Sequence, residues 1–222
     1  IDRLAKPYQV TEPEAVAVEF WSLSPNGARS RTRRLVVPKW EDITTNYAAT
    51  TSAAVQQVMD VAPRKAPPGG RLVLWHGPPG TGKSYAIRAL MRQWRTWCKA
   101  HYILDPERFF GDAEYMISVM LEENDRPSYE TPALGNEAGT TTVEPDWNLL
   151  VIEDAEEFIT MDAKARQGQS VARLLNLCDG LIGQGLNALV LITTNEDIQK
   201  IHPAIQRSGR CLASIEFGPL TA

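Results

Sequence analysis

Hydrophobic and polar positions along the chain alternate between short apolar runs and amphipathic stretches. Ala15 to Leu23 (AVAVEFWSL) alternates and is rich in Val and aromatics, as a half-buried strand requires. SPNG follows, a turn signal carrying Asn26-Gly27, and RSRTRRLVV then runs up to Pro38. This predicts a β-hairpin whose second arm is basic through Arg29, Arg31, Arg33 and Arg34. Such a run reads either as a solvated strand face or as a contact for nucleic acid or an acidic partner. Asn46 to Val61 predicts a helix, and PRKAPPGG (Pro63 to Gly70) ends it, because Pro and Gly there cannot continue a helix.

From RLVLWHG onward the rhythm is strand, helix, strand. That run is short and apolar, of the buried-strand type, and Ser84 to Lys99 sets Ile87, Leu90, Met91, Trp94 and Trp97 near helical spacing. HYIL predicts a second strand, and Asp112 to Leu121 a second helix. Glu122 to Trp147 has no periodicity and is rich in Pro, Gly, Thr and acids, so it reads as a long surface insertion. LLVI then predicts a strand, Ser170 to Leu177 a helix, ALVLITT a strand and SIEF a final strand. Such alternation implies an α/β fold, a parallel sheet covered by helices on both faces. The expected division is a hairpin segment over 1–38 and a nucleotide-binding α/β unit over 39–222, with the insertion at about 122–147.

Composition narrows the function classes. The 222 residues suit one large domain or one domain with an appendage, and 43% hydrophobic with 23% charged residues exclude disorder as the main state. Lys and Arg number 23 against 27 Asp and Glu, a net charge of −4, which excludes a bulk nucleic-acid binder held by net charge. Nucleic acid is therefore not indicated as a partner. Mean hydropathy is −0.26, and no apolar run approaches the ~20 residues of a membrane span, so no membrane partner is expected. Cys98, Cys178 and Cys211 are odd in number and form no CxxC, which fits a reducing, cytoplasmic compartment. His76, His101 and His202 are too scattered for a metal cluster. The chain starts at Ile1 without the apolar core of a signal peptide and stops just after a strand-like run, and is expected to be a piece of a longer protein.

One motif carries specific chemistry. Gly77-Pro78-Pro79-Gly80-Thr81-Gly82-Lys83-Ser84 fits G-x-x-x-x-G-K-[ST] without a mismatch, after a buried strand and before a helix. Glycines let successive backbone N–H groups turn inward onto a phosphate, and the helix N-terminus adds about half a positive charge. Lys83 is then a point charge for the β- and γ-phosphates, Ser84 a hydroxyl ligand for Mg²⁺, and Tyr85 the next residue of the nucleotide-contacting run. LLVI ends in Glu153-Asp154, an acid pair suited to holding the hydration shell of Mg²⁺ and to orienting the attacking water. Glu156 and Glu157 follow closely, so the assignment among the four is open. Asn195 ends the LVLITT strand, where an amide can hold water or the γ-phosphate. Beyond it, HPAIQRSGRC presents Arg207 and Arg210, the residue type for bidentate phosphate contact.

In this order the segments resemble the AAA branch of the AAA+ ATPases over about Trp40 to Phe217, and look closest to a little-characterised bacterial group. The resemblance implies a P-loop NTPase core with ATP and Mg²⁺ as ligands. It makes GPPGTGKS the Walker A loop, LLVIED the Walker B strand and Asn195 sensor 1. LLNLCDG resembles the helix end before the fourth strand, and Trp40-Glu41-Asp42-Ile43 the linker over the adenine, which brings in Asp42 and Ile43. HPAIQRSGR makes Arg207 and Arg210 arginine fingers that reach a neighbouring subunit's nucleotide. The family usually orders the acids Asp then Glu. Here Glu153 would be the magnesium acid and Asp154 the water-activating one, which puts the rate of hydrolysis in question more than binding. His202 and Ser208 replace an Asp and a Pro of the finger segment, and the helical lid that normally follows is absent from the chain. Phe109-Phe110-Gly111 falls where the family carries a pore loop that grips substrate, although a Phe pair is more often core. Met161 to Gly168 falls where a second pore loop would lie.

The implied function is a Mg²⁺-dependent ATPase, a hexameric homo-oligomeric ring acting on a macromolecule expected to be a protein. Two alternatives stand beside it: an ATP-binding scaffold or switch with weak hydrolysis, and a small P-loop kinase. The guanine-reading N-K-x-D is missing, because T-T-N-E is not that pattern.

Overall fold

The computed structural model describes residues 15–61, 70–121, 147–161, 172–176, 178, 187–207 and 209–221. The hairpin forms as its pattern predicts: β1 (Ala15–Ser24) and β2 (Gly27–Val36) pair antiparallel around Pro25-Asn26. Then come α1 (Trp40–Ile43), a 3-10 turn (Thr44–Asn46) and α2 (Ala49–Met59). The strand–helix alternation follows as β3 (Leu72–His76), α3 (Lys83–Trp94), β4 (Cys98–Ile103), α4 (Pro106–Gly111) and α5 (Ala113–Leu121). After the insertion come β5 (Trp147–Ile152), α6 (Glu156–Ile159), β6 (Ala188–Thr194), a 3-10 turn (Ile198–Lys200) and β7 (Cys211–Glu216), with residues 172–176 also helical.

The strands make one seven-stranded sheet in the order β2-β1-β4-β5-β6-β3-β7. Every pairing except β1–β2 is parallel. β3 and β6 are buried at every position, as strands covered on both faces must be, and this explains why they read as unbroken apolar runs. Successive residues alternate between two cores. Val73, Trp75, Leu149, Val151, Leu189 and Leu191 face α2 and α3, while Leu72, Leu74, Leu150, Ile152, Val190 and Ile192 face α4, α5 and α6.

The hairpin belongs to the same sheet, because β1 pairs with β4 through Val18↔Ala100 to Trp21↔Ile103. Buried polar groups pin this seam. The Trp21 indole donates to His101 Nδ1 at 3.0 Å, so the His101 proton sits on Nε2, which meets Asn148 Oδ1 at 3.1 Å. Asp105 accepts the Leu23 N–H at 3.0 Å and the Tyr115 hydroxyl at 2.7 Å, tying the hairpin to α4 and α5. Arg29, Arg31, Arg33 and Arg34 are exposed on the outermost strand, where charge discourages pairing with another sheet edge.

Boundaries differ from expectation where pairing overrides periodicity. The α3 helix stops at Trp94 instead of Lys99, because Cys98 must begin β4 in register with Trp147. For the same reason Trp147 opens β5 instead of closing the insertion. The final strand starts at Cys211, ahead of the apolar SIEF, since Cys211 and Ala213 are also held by β3. The residues expected to form most of the Pro63–Gly70 loop, the insertion and the second pore loop lie outside the described residues.

Gly77 shows why the turn after β3 needs glycine. Its φ is 135°, and a Cβ there would lie 2.2 Å from the Phe217 carbonyl oxygen. Gly80 has φ 79° with nothing within 4 Å of such a Cβ. Gly77→Ala should therefore lower folding stability by about 2–4 kcal/mol, from strain plus overpacking. Gly80→Ala should cost only the left-handed penalty of ~1–2 kcal/mol. Urea denaturation of both variants tests this, and equal losses would contradict the close approach of Phe217.

Candidate nucleotide site

The site forms where β3, β5 and β6 end and α3 begins. Gly77 to Gly82 carry the chain from β3 to α3, with φ 79° at Gly80 and 84° at Gly82. A Cβ on Gly82 would sit 2.9 Å from the Tyr47 ring, whose hydroxyl donates to the Gly82 carbonyl at 3.0 Å. Thr81 closes the loop by donating to the Pro78 carbonyl at 2.8 Å.

Lys83 is only 7% exposed. Its ammonium donates to the Gly77 carbonyl at 2.7 Å, the Pro78 carbonyl at 3.0 Å and Asn195 Oδ1 at 3.0 Å. Burial holds its pKa below the usual lysine value, and Asp154, Glu156 and Glu153 pull the other way. Asn195 is the pivot. Its carboxamide oxygen accepts from Lys83 and its NH₂ donates to Asp154 Oδ1 at 3.2 Å. Its backbone N–H donates to Glu156 Oε1 at 2.7 Å.

The acid pair leaves β5 by a sharp turn. Asp154 has φ 53°, a left-handed conformation uncommon outside glycine. Its N–H donates to Thr193 Oγ1 at 3.1 Å, and Ala155 N–H donates to the Thr193 carbonyl at 3.0 Å. The kink is thus held by β6, the strand that ends in Asn195. Glu153 Oε2 accepts a short hydrogen bond from the Ser84 hydroxyl. A hydroxyl and a carboxylate in contact are hard oxygen donors of the kind Mg²⁺ takes, so the residues present fit that ion.

These groups line one cleft of about 460 Å³, formed by Pro79 to Tyr85 with Arg88, Glu153, Asp154, Thr193 and Asn195. The structure therefore brings together the phosphate loop, both acids and the strand-end Asn. It also separates the four carboxylates. Glu153 and Asp154 face the cleft, Glu156 holds the Asn195 backbone and Glu157 is exposed. Arg88 and Thr193 were not anticipated. Arg88 had a readable signal, since it lies four residues after Ser84 and so one helical turn along the same face.

Other anticipated residues lie apart. Ile43 is buried in the core, Asp42 is exposed, and neither lines the cleft. Arg207 is exposed and Arg210 partly buried, donating to the Ala204 carbonyl at 3.1 Å; neither lines this chain's own cleft. The substrate-gripping expectation for Phe109, Phe110 and Gly111 is corrected. The three sit at the end of α4, and both rings are at most 1% exposed, Phe109 edge-on to Tyr115 and Phe110 against Phe158. Their burial follows from α4 lying over the β5–β6 core, which leaves Gly111 alone exposed.

Comparison with known proteins reaches the same core. Residues 73–219 match the model of the ATPase family associated with various cellular activities (AAA). The chain belongs to the AAA family. Residues 3–60 match a second model, a domain of unknown function (DUF5925). Protein CdcH of Halobacterium salinarum is 32% identical over 68% of this chain and 18% of its own length. Protein SAV of Sulfolobus acidocaldarius is 31% identical over 69% and 17%. The Cell division cycle protein 48 homolog of Archaeoglobus fulgidus is 31% identical over 68% and 18%. These relatives are archaeal, so the expected bacterial grouping is not supported. The chain spans less than a fifth of each one's length. As an AAA protein it belongs to a family of ATPases and has a P-loop NTPase fold. Among its described residues, no helix is long and apolar enough to cross a membrane.

His76 ends β3 beside this AAA site, and burial holds its pKa below the usual value; Lys83 adds to the lowering, while Glu216 and Asp197 oppose it. The unfolded chain takes up this proton near pH ~6.5, and the folded chain only at lower pH. Stability should therefore fall as pH drops below ~6.5, because the unfolded state binds more protons there. Comparing urea midpoints from about pH 7 to pH 5, His76→Asn should show a shallower decline. An identical slope would show that His76 does not contribute.

Proposed function

We propose that this chain is the nucleotide-binding, hydrolysing unit of a ring-forming motor that remodels a macromolecule, expected to be a protein. The observation that supports it is the chain of contacts Lys83–Asn195–Asp154 next to Ser84–Glu153 in one cleft, with Arg207 and Arg210 outside it.

In this reading the backbone N–H groups of Gly80 to Ser84 bind the ATP phosphates, and Lys83 exchanges a carbonyl partner for a phosphate oxygen. Ser84 and Glu153 would hold Mg²⁺, which would supply positive charge against the charge developing on the phosphates. Asp154 accepts a proton from the attacking water, and Asn195 fixes that water and the carboxylate together. Glu156 acts through Asn195 by holding its backbone. Asp154→Asn should keep ATP binding but lower kcat by at least ~10²-fold, the usual scale for a positioned base. Glu153→Gln should instead raise the Mg²⁺ requirement. Normal turnover by Asp154→Asn together with loss of turnover in Glu156→Gln would refute this assignment.

Arg207 and Arg210 then serve a neighbour's nucleotide, which requires head-to-tail contacts and points to a hexameric ring. An arginine supplied in trans is worth ~10³–10⁵ in rate in other P-loop enzymes. ATPase activity per subunit should rise with protein concentration. Lys83→Ala should lose tight ATP binding, and Arg207→Ala should lose turnover. Mixed, the two should regain some activity, since each supplies what the other lacks. Full-rate turnover by monomeric protein would refute the ring and favour the small-kinase reading. A second reading, a switch with weak hydrolysis, is favoured by one feature, the shorter Asp154 in the base position.

A further inference from the structure

The phosphate loop is held from behind by a residue outside the AAA match. Tyr47 follows the 3-10 turn Thr44–Asn46, within residues 3–60 and ahead of residues 73–219. Its side chain is buried, with the ring tilted against Trp40 at 5.3 Å between centroids and edge-on to Phe217 at 5.9 Å. Thr221 fastens the same turn. Its N–H donates to the Asn46 carbonyl at 2.9 Å and its hydroxyl to the Thr45 carbonyl at 2.8 Å. Tyr47 is thereby fixed between the turn and the residues that follow β7. Phe217 crowds Gly77 at the start of the loop, and Tyr47 crowds Gly82 at its end.

What Tyr47 holds is one peptide plane. The Gly82 carbonyl accepts from the Tyr85 and Ala86 N–H groups, each at 3.0 Å, and from the Tyr47 hydroxyl at 3.0 Å. Those bonds aim the carbonyl along α3. In a trans peptide the next N–H points the opposite way. The Lys83 N–H is therefore aimed off the N-terminus of α3, the direction from which a helix receives an anion. Gly82, left-handed at φ 84°, has no Cβ to restrain this plane, and the tyrosine supplies the restraint. Burial pushes the Tyr47 hydroxyl up to about 12, with Tyr85 adding to the rise, so it remains a donor at neutral pH.

We infer that Tyr47 is a positioning residue for the nucleotide phosphates, acting through the Gly82 carbonyl to fix the direction of the Lys83 N–H. This role rests on reading Gly80 to Ser84 as the phosphate-binding backbone. It gives the segment that matches a domain of unknown function a part in the AAA site.

The test is calorimetric binding of ADP and of inorganic pyrophosphate in EDTA, read alongside ATP turnover and thermal melting. Tyr47→Phe keeps the ring against Trp40 and Phe217 and removes only the hydroxyl. It should weaken both ligands about 3- to 10-fold, the range for one lost hydrogen bond. KM for ATP should rise by a similar factor with kcat little changed, since ground and transition states lose the same contact. Val55→Ala, a buried truncation on α2 in the same core, should lower the melting temperature and leave pyrophosphate affinity at the parent value. Parent-like affinity for both ligands in Tyr47→Phe, with binding lost in Lys83→Ala, would overturn the role of Tyr47 alone. Parent-like affinity in Lys83→Ala would instead overturn the phosphate-loop reading beneath it. A loss in Val55→Ala equal to that in Tyr47→Phe would assign the effect to general destabilisation and overturn positioning.

Discussion

A lysine charge removed from water is the constraint on which this structure turns. An ammonium in a mostly buried position costs several kcal/mol unless its protons are all received. Lys83 solves this with three oxygens, two of which belong to the loop it closes. Donating to the Gly77 and Pro78 carbonyls holds the loop backbone back against the helix that carries the lysine. The third oxygen, on Asn195, comes from the end of another strand. That demand places β6 beside β3, and so makes the sheet parallel at its centre with its strand ends together. The carboxylates at the end of β5 then stabilise the cation through space while facing the cleft it borders.

The hairpin changes what would otherwise be the sheet's edge. With β1 absent, β4 would offer a row of unpaired backbone groups next to the acid pair. Instead β1 pairs with it, and Trp21, His101 and Asn148 complete buried hydrogen bonds across three strands. Asp105 repeats the device at the strand tops, where its two oxygens join β1 to α5. The remaining edge passes to β2, whose arginines keep it from pairing further. The described part of the match of residues 3–60 to a domain of unknown function therefore includes strands that share a sheet with the AAA core, and α2, which packs on that core.

Much of this was legible in the residues because it depends on local chemistry. The phosphate loop, its flanking strand and helix, and the Asn at the end of β6 follow from spacing and from apolar runs too uniform to be solvent-facing. What was not legible depends on pairs distant in the chain. Trp97 continues the helical spacing, yet the helix ends three residues earlier because Cys98 is claimed by β1's neighbour strand. Phe109 and Phe110 carry a sequence suited to a gripping loop, but a short helix turns both rings inward, and only tertiary packing decides which way a Phe pair faces.

The inverted acid order is best understood as a matter of reach. The first acid after β5 has to meet a hydroxyl on the opposite wall of the cleft, and the second an amide on the next strand. With Glu153 first, the longer side chain closes onto Ser84 across that gap. With Asp154 second, the backbone turns left-handed and brings the shorter side chain within 3.2 Å of Asn195. Length lost at one position is recovered by the kink, and the kink is held by Thr193 on the strand that supplies the Asn. The swap therefore leaves both carboxylates inside the cleft, but it shifts what secures them. The second acid depends on a strained backbone, and the first on a longer side chain that Ser84 holds.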